Sequence, residues 1–266
     1  MKMELSGKTA IVSGSAQGIG LAIATGLADC GASVVVNGLT EASVVAAVER
    51  IGKAVPGAIA RGVAADLATA EGVRDLVAAE PAADVLVNNL GIFDPRPFFE
   101  IDDAEWQRFF QINVMSGIRL ARAYMPGMLA VDWGRVVFIS SESALQIPPE
   151  MIHYGMTKTA QLAVSRGLAE MCAGSGVTVN AVLPGPTASE GVSAFVAKLD
   201  ADADPDKTPQ QRVDDFVRDH RPTSILRRAA TPQEVANLVV YLCSPLSSAT
   251  TGAALSVDGG TRRSIV

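Results

Sequence analysis

The sequence predicts an α/β protein in which a doubly wound parallel sheet forms a single domain over residues 1–266. Two patterns and the overall composition predict it. Short apolar segments rich in valine alternate with longer segments whose apolar residues recur at helical spacing, and a glycine-rich turn joins the first strand to the first helix. The chain has 266 residues, of which 48% are apolar and 19% charged, as is typical of one globular domain.

Seven apolar segments are predicted to be buried strands, and a plausible helix separates each from the next. They are residues 9–13, 33–37, 58–63, 84–87, 135–140, 177–183 and 254–257. The first helix follows the glycine-rich turn and ends at Cys30 and Gly31. The second spans residues 41–54, and we expect Val44, Val45 and Val48 to face inward.

Two longer helices, over residues 102–130 and 151–174, are predicted to cover one face of the sheet. A further helix begins with Thr231 as its N-cap and Pro232 at its first position, and ends near Cys243. Between Gly185 and Pro222 the apolar periodicity is weaker. We interpret residues 186–222, with their polar, acidic stretch at 198–207, as a mobile substrate lid.

Composition argues against several other classes of protein. The net charge of −6 and the absence of a basic stripe make a nucleic-acid partner unexpected. The three cysteines are widely separated and show no CxxC spacing, so we expect buried thiols and no metal site. No apolar run is long enough to span a membrane, and the first residues lack a signal-peptide pattern. We therefore expect a soluble, cytoplasmic protein.

The glycine-rich turn Gly14-Ser-Ala-Gln-Gly-Ile-Gly20 lies between a strand and a helix. This placement directs free backbone N–H groups and the positive end of the helix at a phosphate, which predicts a nucleotide site. The alternative is a turn that uses glycine only for its backbone freedom. The spacing, Gly-x-x-x-Gly-x-Gly, also differs from the GxGxxG of most dinucleotide-binding turns.

Tyr154 and Lys158 are four residues apart on a predicted helix, and Ser141 precedes Tyr154 by thirteen residues. Residues at i and i+4 share a helix face, so the ammonium is expected to lie near the phenol and to favour its anionic form. The tyrosine would then donate or accept a proton while a serine hydroxyl holds a carbonyl or alcohol oxygen. Such a triplet also occurs by chance on structural helices.

These motifs, in this order, resemble the classical short-chain dehydrogenase/reductase superfamily over nearly the whole chain. The matching residues are Gly14, Gly18 and Gly20 in the turn, Asp66, the Asn88-Asn89-Leu90-Gly91 segment, Asn113, Ser141, Tyr154, Lys158, the Pro184-Gly185-Pro186-Thr187 turn and Val257-Asp258-Gly259-Gly260. The resemblance implies a Rossmann-type sheet of about seven strands, an NAD(P)(H)-dependent oxidoreductase that interconverts a ketone and a secondary alcohol, and a homo-oligomer, either a tetramer or a dimer.

The resemblance also implies roles for individual residues. Tyr154 would be the general acid or base, Ser141 would hold the substrate oxygen, and Lys158 would lower the pKa of the phenol and contact the nicotinamide ribose. Asn113 would hold a water that links Lys158 to solvent. The implied cofactor contacts are Gly14, Ser15, Gln17, Gly18, Ile19, Gly20, Gly38, Leu39, Asp66, Leu67, Asn89, Gly91, Tyr154, Lys158, Pro184, Gly185 and Thr187.

Two positions depart from the family pattern. Leu90 replaces the usual alanine, and we expect its bulk to shift the nicotinamide pocket slightly. At the end of the second strand, Gly38 and Leu39 offer neither the carboxylate of NAD-preferring relatives nor the basic residue of NADP-preferring ones. Because no carboxylate would repel a 2′-phosphate, NADP(H) is slightly favoured, and NAD(H) remains an alternative.

The substrate wall is predicted from residues 144–151, Phe93 and the lid, and it is mostly apolar. Glu142 is interpreted as a solvated loop charge, with selection of polar substrates as the alternative. His153 is expected to face a neighbouring residue or solvent. Two other functions stay open: a 3-oxoacyl-(acyl carrier protein) reductase-like enzyme, and a non-catalytic nucleotide-binding regulator on the same fold.

Overall fold

The computed structural model describes residues 3–199 and 207–265, and within them the chain forms one seven-strand parallel sheet. The strand order is β3-β2-β1-β4-β5-β6-β7. The strands are β1 Thr9–Val12, β2 Ser33–Gly38, β3 Ala60–Ala64, β4 Val85–Asn88, β5 Gly134–Ile139, β6 Val177–Pro184 and β7 Ala254–Val257. The predicted doubly wound parallel sheet is thus confirmed, and each predicted strand lies within two residues of its observed bounds.

Helices pack on both faces of this sheet. They are α1 Gly18–Asp29, α2 Glu41–Ala54, α3 Ala70–Ala79, α4 Asp103–Phe110, α5 Ser116–Ala130, α6 Ile152–Met171, α7 Glu190–Leu199, α8 Pro209–His220 and α9 Pro232–Cys243. The strand order reverses between β1 and β4, so the connections that leave their carboxyl ends run in opposite directions. This leaves a crevice at that edge of the sheet, which is where ligands bind in open α/β sheets.

The alternation of side chains along the central strands divides the core into two layers. On β1, Ala10 and Val12 pack with α1, α2 and α9, whereas Ile11 points to the opposite layer with α3, α5 and α6. Successive residues of a strand face opposite sides, and both sides of the central strands are covered, so most of their positions are apolar. This is why the strands are continuous valine-rich runs.

Two details of the helices differ from the predictions. Val45 is 47% exposed, because the buried face of α2 is formed by Val44, Ala47 and Ile51 and a residue adjacent to Val44 is rotated by about 100°. The single helix predicted for residues 102–130 is α4 and α5 joined by a π-helical turn, Gln111–Met115. That wider turn contains Asn113 and lies beside the site described below.

The predicted lid contains two helices rather than irregular chain. α7 and α8 share a small core of their own, formed by Val196, Val213, Val217 and Ala229. Most of the acidic stretch, residues 200–206, lies outside the described residues. The mobility predicted for the lid stays a prediction.

The start of α9 carries a capping box, as Thr231 and Pro232 predict. Thr231 Oγ1 accepts a hydrogen bond from Glu234 N, and the Glu234 carboxylate accepts one from Thr231 N at 2.8 Å. Arg228 donates to both oxygens of the same carboxylate, at 2.9 and 2.7 Å. Hydrogen bonds from Arg228, and then from Thr231, lower the pKa of Glu234 from 4.5 to about 2.

We expect Glu234→Gln to lower the free energy of unfolding at pH 7 by about 0.5–1 kcal/mol, a modest value because this side chain is partly exposed. A lowered folded-state pKa stabilises the fold above the ordinary value of 4.5 and loses that contribution as the pH falls towards 2. The difference between wild type and variant in urea unfolding should therefore shrink across this window. A difference that stays constant with pH would contradict the prediction.

Within residues 3–199 and 207–265, no helix has the length and apolar character required to cross a bilayer.

Candidate active site

The glycine-rich turn leaves β1 at the crevice and enters α1. Gly14 and Gly18 have φ angles of 58° and 59°, a region that favours glycine. A Cβ atom on Gly20 would lie 2.5 Å from Asn89 Nδ2 and 2.6 Å from Gly14 O, so the helix packs directly on the turn. The absence of side chains here leaves a cradle of backbone N–H groups at a helix N-terminus, which fits the pyrophosphate of a dinucleotide.

Side chains from two strands fasten this turn. Asn37 Oδ1 accepts from Gly14 N at 3.0 Å, and Asn89 Nδ2 donates to Ser13 O and Gly14 O, both at 3.0 Å. Ser15 is fully buried and its Oγ donates to Val12 O at 2.6 Å while accepting from Asn37 N. The Ser15 side chain therefore holds the turn rather than pointing into the crevice.

The predicted catalytic residues come together from β5 and α6. Ser141 follows the end of β5, and Tyr154 and Lys158 project from the first two turns of α6. Tyr154 lies close enough to Ser141 for that side chain to affect its pKa, and Ser141 Oγ is 2.5 Å from Glu142 Oε2. The neighbouring Ser140 instead donates to Lys158 O at 2.8 Å, which leaves Ser141 as the serine beside the phenol.

The pKa of Tyr154 lies above its ordinary value, first because the phenol is buried and then because of the nearby Glu142 charge; the Ser141 hydroxyl and Arg221 act the other way. Lys158 is also buried, and burial lowers its pKa to about 8. Its Nζ donates to Ile139 O at 2.9 Å and lies 5.6 Å from the centre of the Tyr154 ring. The expectation that Lys158 lowers the pKa of Tyr154 stays a prediction.

Asn113 is buried in the π-helical turn. Its Oδ1 accepts from Ile92 N at 2.8 Å, and its Nδ2 donates to Ile92 O and Thr157 Oγ1, both at 3.0 Å. Its main-chain oxygen accepts from the Gln161 side chain. Asn113 thus joins α6 to the segment after β4, and the predicted water-holding role stays a prediction.

One cavity of about 290 Å³ connects the glycine-rich turn with these catalytic groups. The predicted residues that line it are Gly14, Gln17, Gly18, Ile19, Gly20, Asn89, Gly91, Ser141, Tyr154, Lys158, Pro184, Gly185 and Thr187. A Cβ atom on Gly91 would lie 3.2 Å from Lys158 Nζ, so only glycine keeps the passage open beside the ammonium. The cavity and its cradle fit a nicotinamide dinucleotide, with the nicotinamide end at Tyr154.

Other predicted contacts lie outside this cavity. The Leu67 side chain is buried in the core, so only its main chain is available to a ligand, whereas Asp66 is exposed and accepts from Ala68 N. Leu39 is 72% exposed at the end of β2. Leu90 packs against the core and over Gly14 and is not among the residues that line the cavity, and its expected effect on the nicotinamide pocket stays a prediction.

The end of β2 offers few free polar groups for a ribose. Both Asn37 amide hydrogens are used, by Val63 O and Ala65 O, at 3.2 and 3.1 Å. Thr40 Oγ1 accepts from Ser43 N as the N-cap of α2 and keeps its own proton to donate. A Cβ atom on Gly38 would lie 2.7 Å from Ser43 Oγ, so a carboxylate side chain at this position would require the Ser43 side chain to turn away.

Sequence reasoning missed the residues that the lid brings to the cavity: Val192, Phe195, Phe216 and Arg221. Their pattern only predicts amphipathic helices, and nothing local shows which face meets the crevice. Glu142 was interpreted as a solvated charge, and this is wrong: it is buried and its Oε1 is 3.6 Å from Arg221 Nε. His153 packs against Phe109 and Trp106, so it faces neighbours as expected.

Comparison with known proteins identifies the family. A family model described as enoyl-(acyl carrier protein) reductase matches residues 14–262. The chain is 48% identical over 265 residues to the oxidoreductase YvaG of Bacillus subtilis (strain 168), covering 100% of both chains. It is 32% identical over 262 residues to dehydrogenase/reductase SDR family member 4 of Caenorhabditis elegans, covering 96% of this chain and 95% of the relative.

Among solved structures, L-sorbose reductase from Gluconobacter frateurii, complexed with NADPH and L-sorbose, superposes with a TM-score of 0.91 at 32% identity and 100% coverage of each chain. The fold, the crevice and the tyrosine, serine and lysine within it agree with these matches. The chain belongs to the short-chain dehydrogenase/reductase superfamily and interconverts ketones and secondary alcohols with a nicotinamide cofactor.

Proposed function

We propose that Tyr154 is the general acid and base of this reaction, that Ser141 holds the substrate oxygen, and that NADP(H) is the slightly favoured cofactor. The observation that carries the proposal is that Tyr154 and Ser141 line one cavity, which is continuous with the glycine-rich turn. A phenol whose pKa is raised by burial is protonated at neutral pH. It therefore has a proton to donate in the reductive direction.

The nicotinamide supplies a hydride to the ketone carbon, or removes one from the alcohol, when it is bound in this cavity. Tyr154 Oη donates its proton to the ketone oxygen and accepts it back in the oxidative direction. Ser141 Oγ donates a second hydrogen bond to the same oxygen. Lys158, with a pKa of about 8, is mostly charged at neutral pH and stabilises the phenolate left after proton transfer.

The same proposal assigns the remaining cofactor contacts. Backbone groups from Gly14 to Gly20 would receive the pyrophosphate, and Thr187, which lines the cavity, would meet the nicotinamide amide. Asp66 and the Leu67 main chain would lie by the adenine, and Gly38 and Leu39 by its ribose.

The preference for NADP(H) is supported by the end of β2, where no carboxylate opposes a 2′-phosphate. L-sorbose reductase, which has the same fold at 32% identity, was solved with NADPH. We expect titration with NADPH and NADH, followed by nicotinamide fluorescence, to show binding of both and a lower Kd for NADPH. Tighter binding of NADH would contradict the preference, and binding of neither would contradict the proposed function.

Three further expectations belong to this proposal. The chain would act as a homo-oligomer, a tetramer or a dimer; it would be cytoplasmic; and α7 and α8 would form a mobile lid over the substrate. The lid is supported by its separate small core and by Phe195, which lies 5.7 Å from Phe93 between ring centres across the cavity. Light scattering of the purified protein tests the assembly, and a monomer would contradict it.

A further inference from the structure

Glu142 and Arg221 lie where two cavities meet. Both residues line the cavity that contains Tyr154, and both line a second one of about 700 Å³. Glu142 comes from the short helical turn after Ser141, whereas Arg221 follows the last residue of α8 in the lid. Their side chains are only 7% and 13% exposed. A buried carboxylate therefore stands directly beside the predicted reaction centre.

The hydrogen bonds of Ser141 show what this carboxylate does in the present structure. Ser141 Oγ lies 2.5 Å from Glu142 Oε2 and accepts from Ser143 N at 3.1 Å. A serine hydroxyl has one proton, and an ionised carboxylate only accepts. The Ser141 proton therefore points at Glu142.

A ketone oxygen changes this arrangement because it only accepts. To be held by both Tyr154 and Ser141, it must receive the proton that Ser141 now donates to Glu142. Glu142 Oε2 then loses its donor inside a buried site, and an unsatisfied buried carboxylate oxygen is unfavourable. A plain ketone has no group that could donate a hydrogen bond to Glu142 Oε2 in place of Ser141. A ketone with a hydroxyl on the neighbouring carbon has such a donor.

Arg221 does not remove this requirement. Its Nε is 3.6 Å from Glu142 Oε1, its Nη1 is 3.8 Å from Glu150 Oε1, and its Nη1 also donates to His220 O at 2.9 Å. One guanidinium is thus shared by two carboxylates, at distances longer than direct hydrogen bonds. The group of three carries a net negative charge, which disfavours an anionic substrate.

We propose, on the basis of the function proposed above, that Glu142 is a specificity-determining residue. It accepts a hydrogen bond from a substrate hydroxyl on the carbon next to the reacting carbon. The preferred substrates are then neutral hydroxyketones, with vicinal diols as their reduced products, rather than plain ketones or keto acids. The second cavity gives space for a longer hydroxylated chain. Its polar lining groups are Gln146, His220, Thr223 and Arg263, besides Glu142, Glu150 and Arg221.

The experiment compares kcat/KM for acetone, hydroxyacetone and pyruvate in wild type, Glu142→Gln and Glu142→Ala. We expect wild type to prefer hydroxyacetone to the other two. In both variants the ratio of kcat/KM for hydroxyacetone to that for acetone should fall about 10- to 100-fold, because hydroxyacetone loses a charge-assisted hydrogen bond and acetone no longer leaves a buried carboxylate oxygen without a donor. Taking the ratio cancels any general effect of the substitution on Ser141.

Glu170→Gln is the matched control, since this carboxylate lies on the exposed surface of α6 and pairs with Arg166. It should leave the ratio unchanged. The inference would be overturned if the ratio of kcat/KM for hydroxyacetone to that for acetone stayed unchanged in both Glu142 variants, or if kcat/KM fell equally for the two ketones. A wild-type preference for acetone or pyruvate would also overturn it. If wild type binds neither NADPH nor NADH and reduces none of the three ketones, the proposed function fails instead, and the inference fails with it.

Discussion

Substituting Tyr154 by phenylalanine is expected to lower kcat for ketone reduction by about 100- to 10,000-fold, the usual contribution of a positioned proton donor. The ring would still fill its place beside Phe93, whose ring centre is 6.4 Å away. Only the hydroxyl is removed. The Kd for NADPH, measured by nicotinamide fluorescence, should therefore change little.

Tyr241→Phe is the matched control for this prediction. Tyr241 lies on α9, is partly exposed and does not line either cavity. It should retain wild-type kcat and Kd. Turnover by Tyr154→Phe within about threefold of wild type would be incompatible with a general acid at this position. Loss of both turnover and NADPH binding would indicate that the hydroxyl supports the cavity rather than the chemistry.

Gly20→Ala is expected to weaken both folding and nucleotide binding. The added Cβ atom would lie 2.5 Å from Asn89 Nδ2, 2.6 Å from Gly14 O and 2.8 Å from Ser15 Cα. Two of these atoms belong to the backbone of the glycine-rich turn, so the turn has to shift. We expect the free energy of unfolding in urea to fall by about 1–3 kcal/mol, as for other overpacked sites. The Kd for NADPH should rise about tenfold or more, which corresponds to about 1.4 kcal/mol.

Gly167→Ala makes the same substitution where there is space. Gly167 is exposed on α6, and no heavy atom lies within 4 Å of the position of its Cβ. Alanine should raise the free energy of unfolding by about 0.5–1 kcal/mol, because glycine is the poorer helix former. If the Gly20 variant bound NADPH as wild type does, the turn would not be the cradle that its packing indicates.

The sequence did not predict which lid residues line the cavity, because their position there depends on the tertiary structure. Arg221 is 79 residues from Glu142 along the chain, and its pattern is that of an ordinary helix end. The packing of α8 on α7, through Val196, Val213 and Val217, brings it to Glu142, the neighbour of Ser141. Such contacts depend on how two helices dock. That is determined by the shape of distant surfaces and not by local spacing.

Elements with local signals could be predicted without coordinates. Valine-rich runs predicted the strands because both faces of the sheet are covered, Thr231 and Pro232 predicted the start of α9, and the order of the glycine-rich turn, Ser141, Tyr154 and Lys158 indicated the nucleotide and catalytic sites. The burial of Glu142 and the packing of Leu90 against the core became visible only in the folded chain, as did the hydrogen bond from Lys158 Nζ to Ile139 O. Burial, charge pairing and hydrogen-bond partners are set by residues far away in the chain, whereas helix and strand periodicity are set by neighbours.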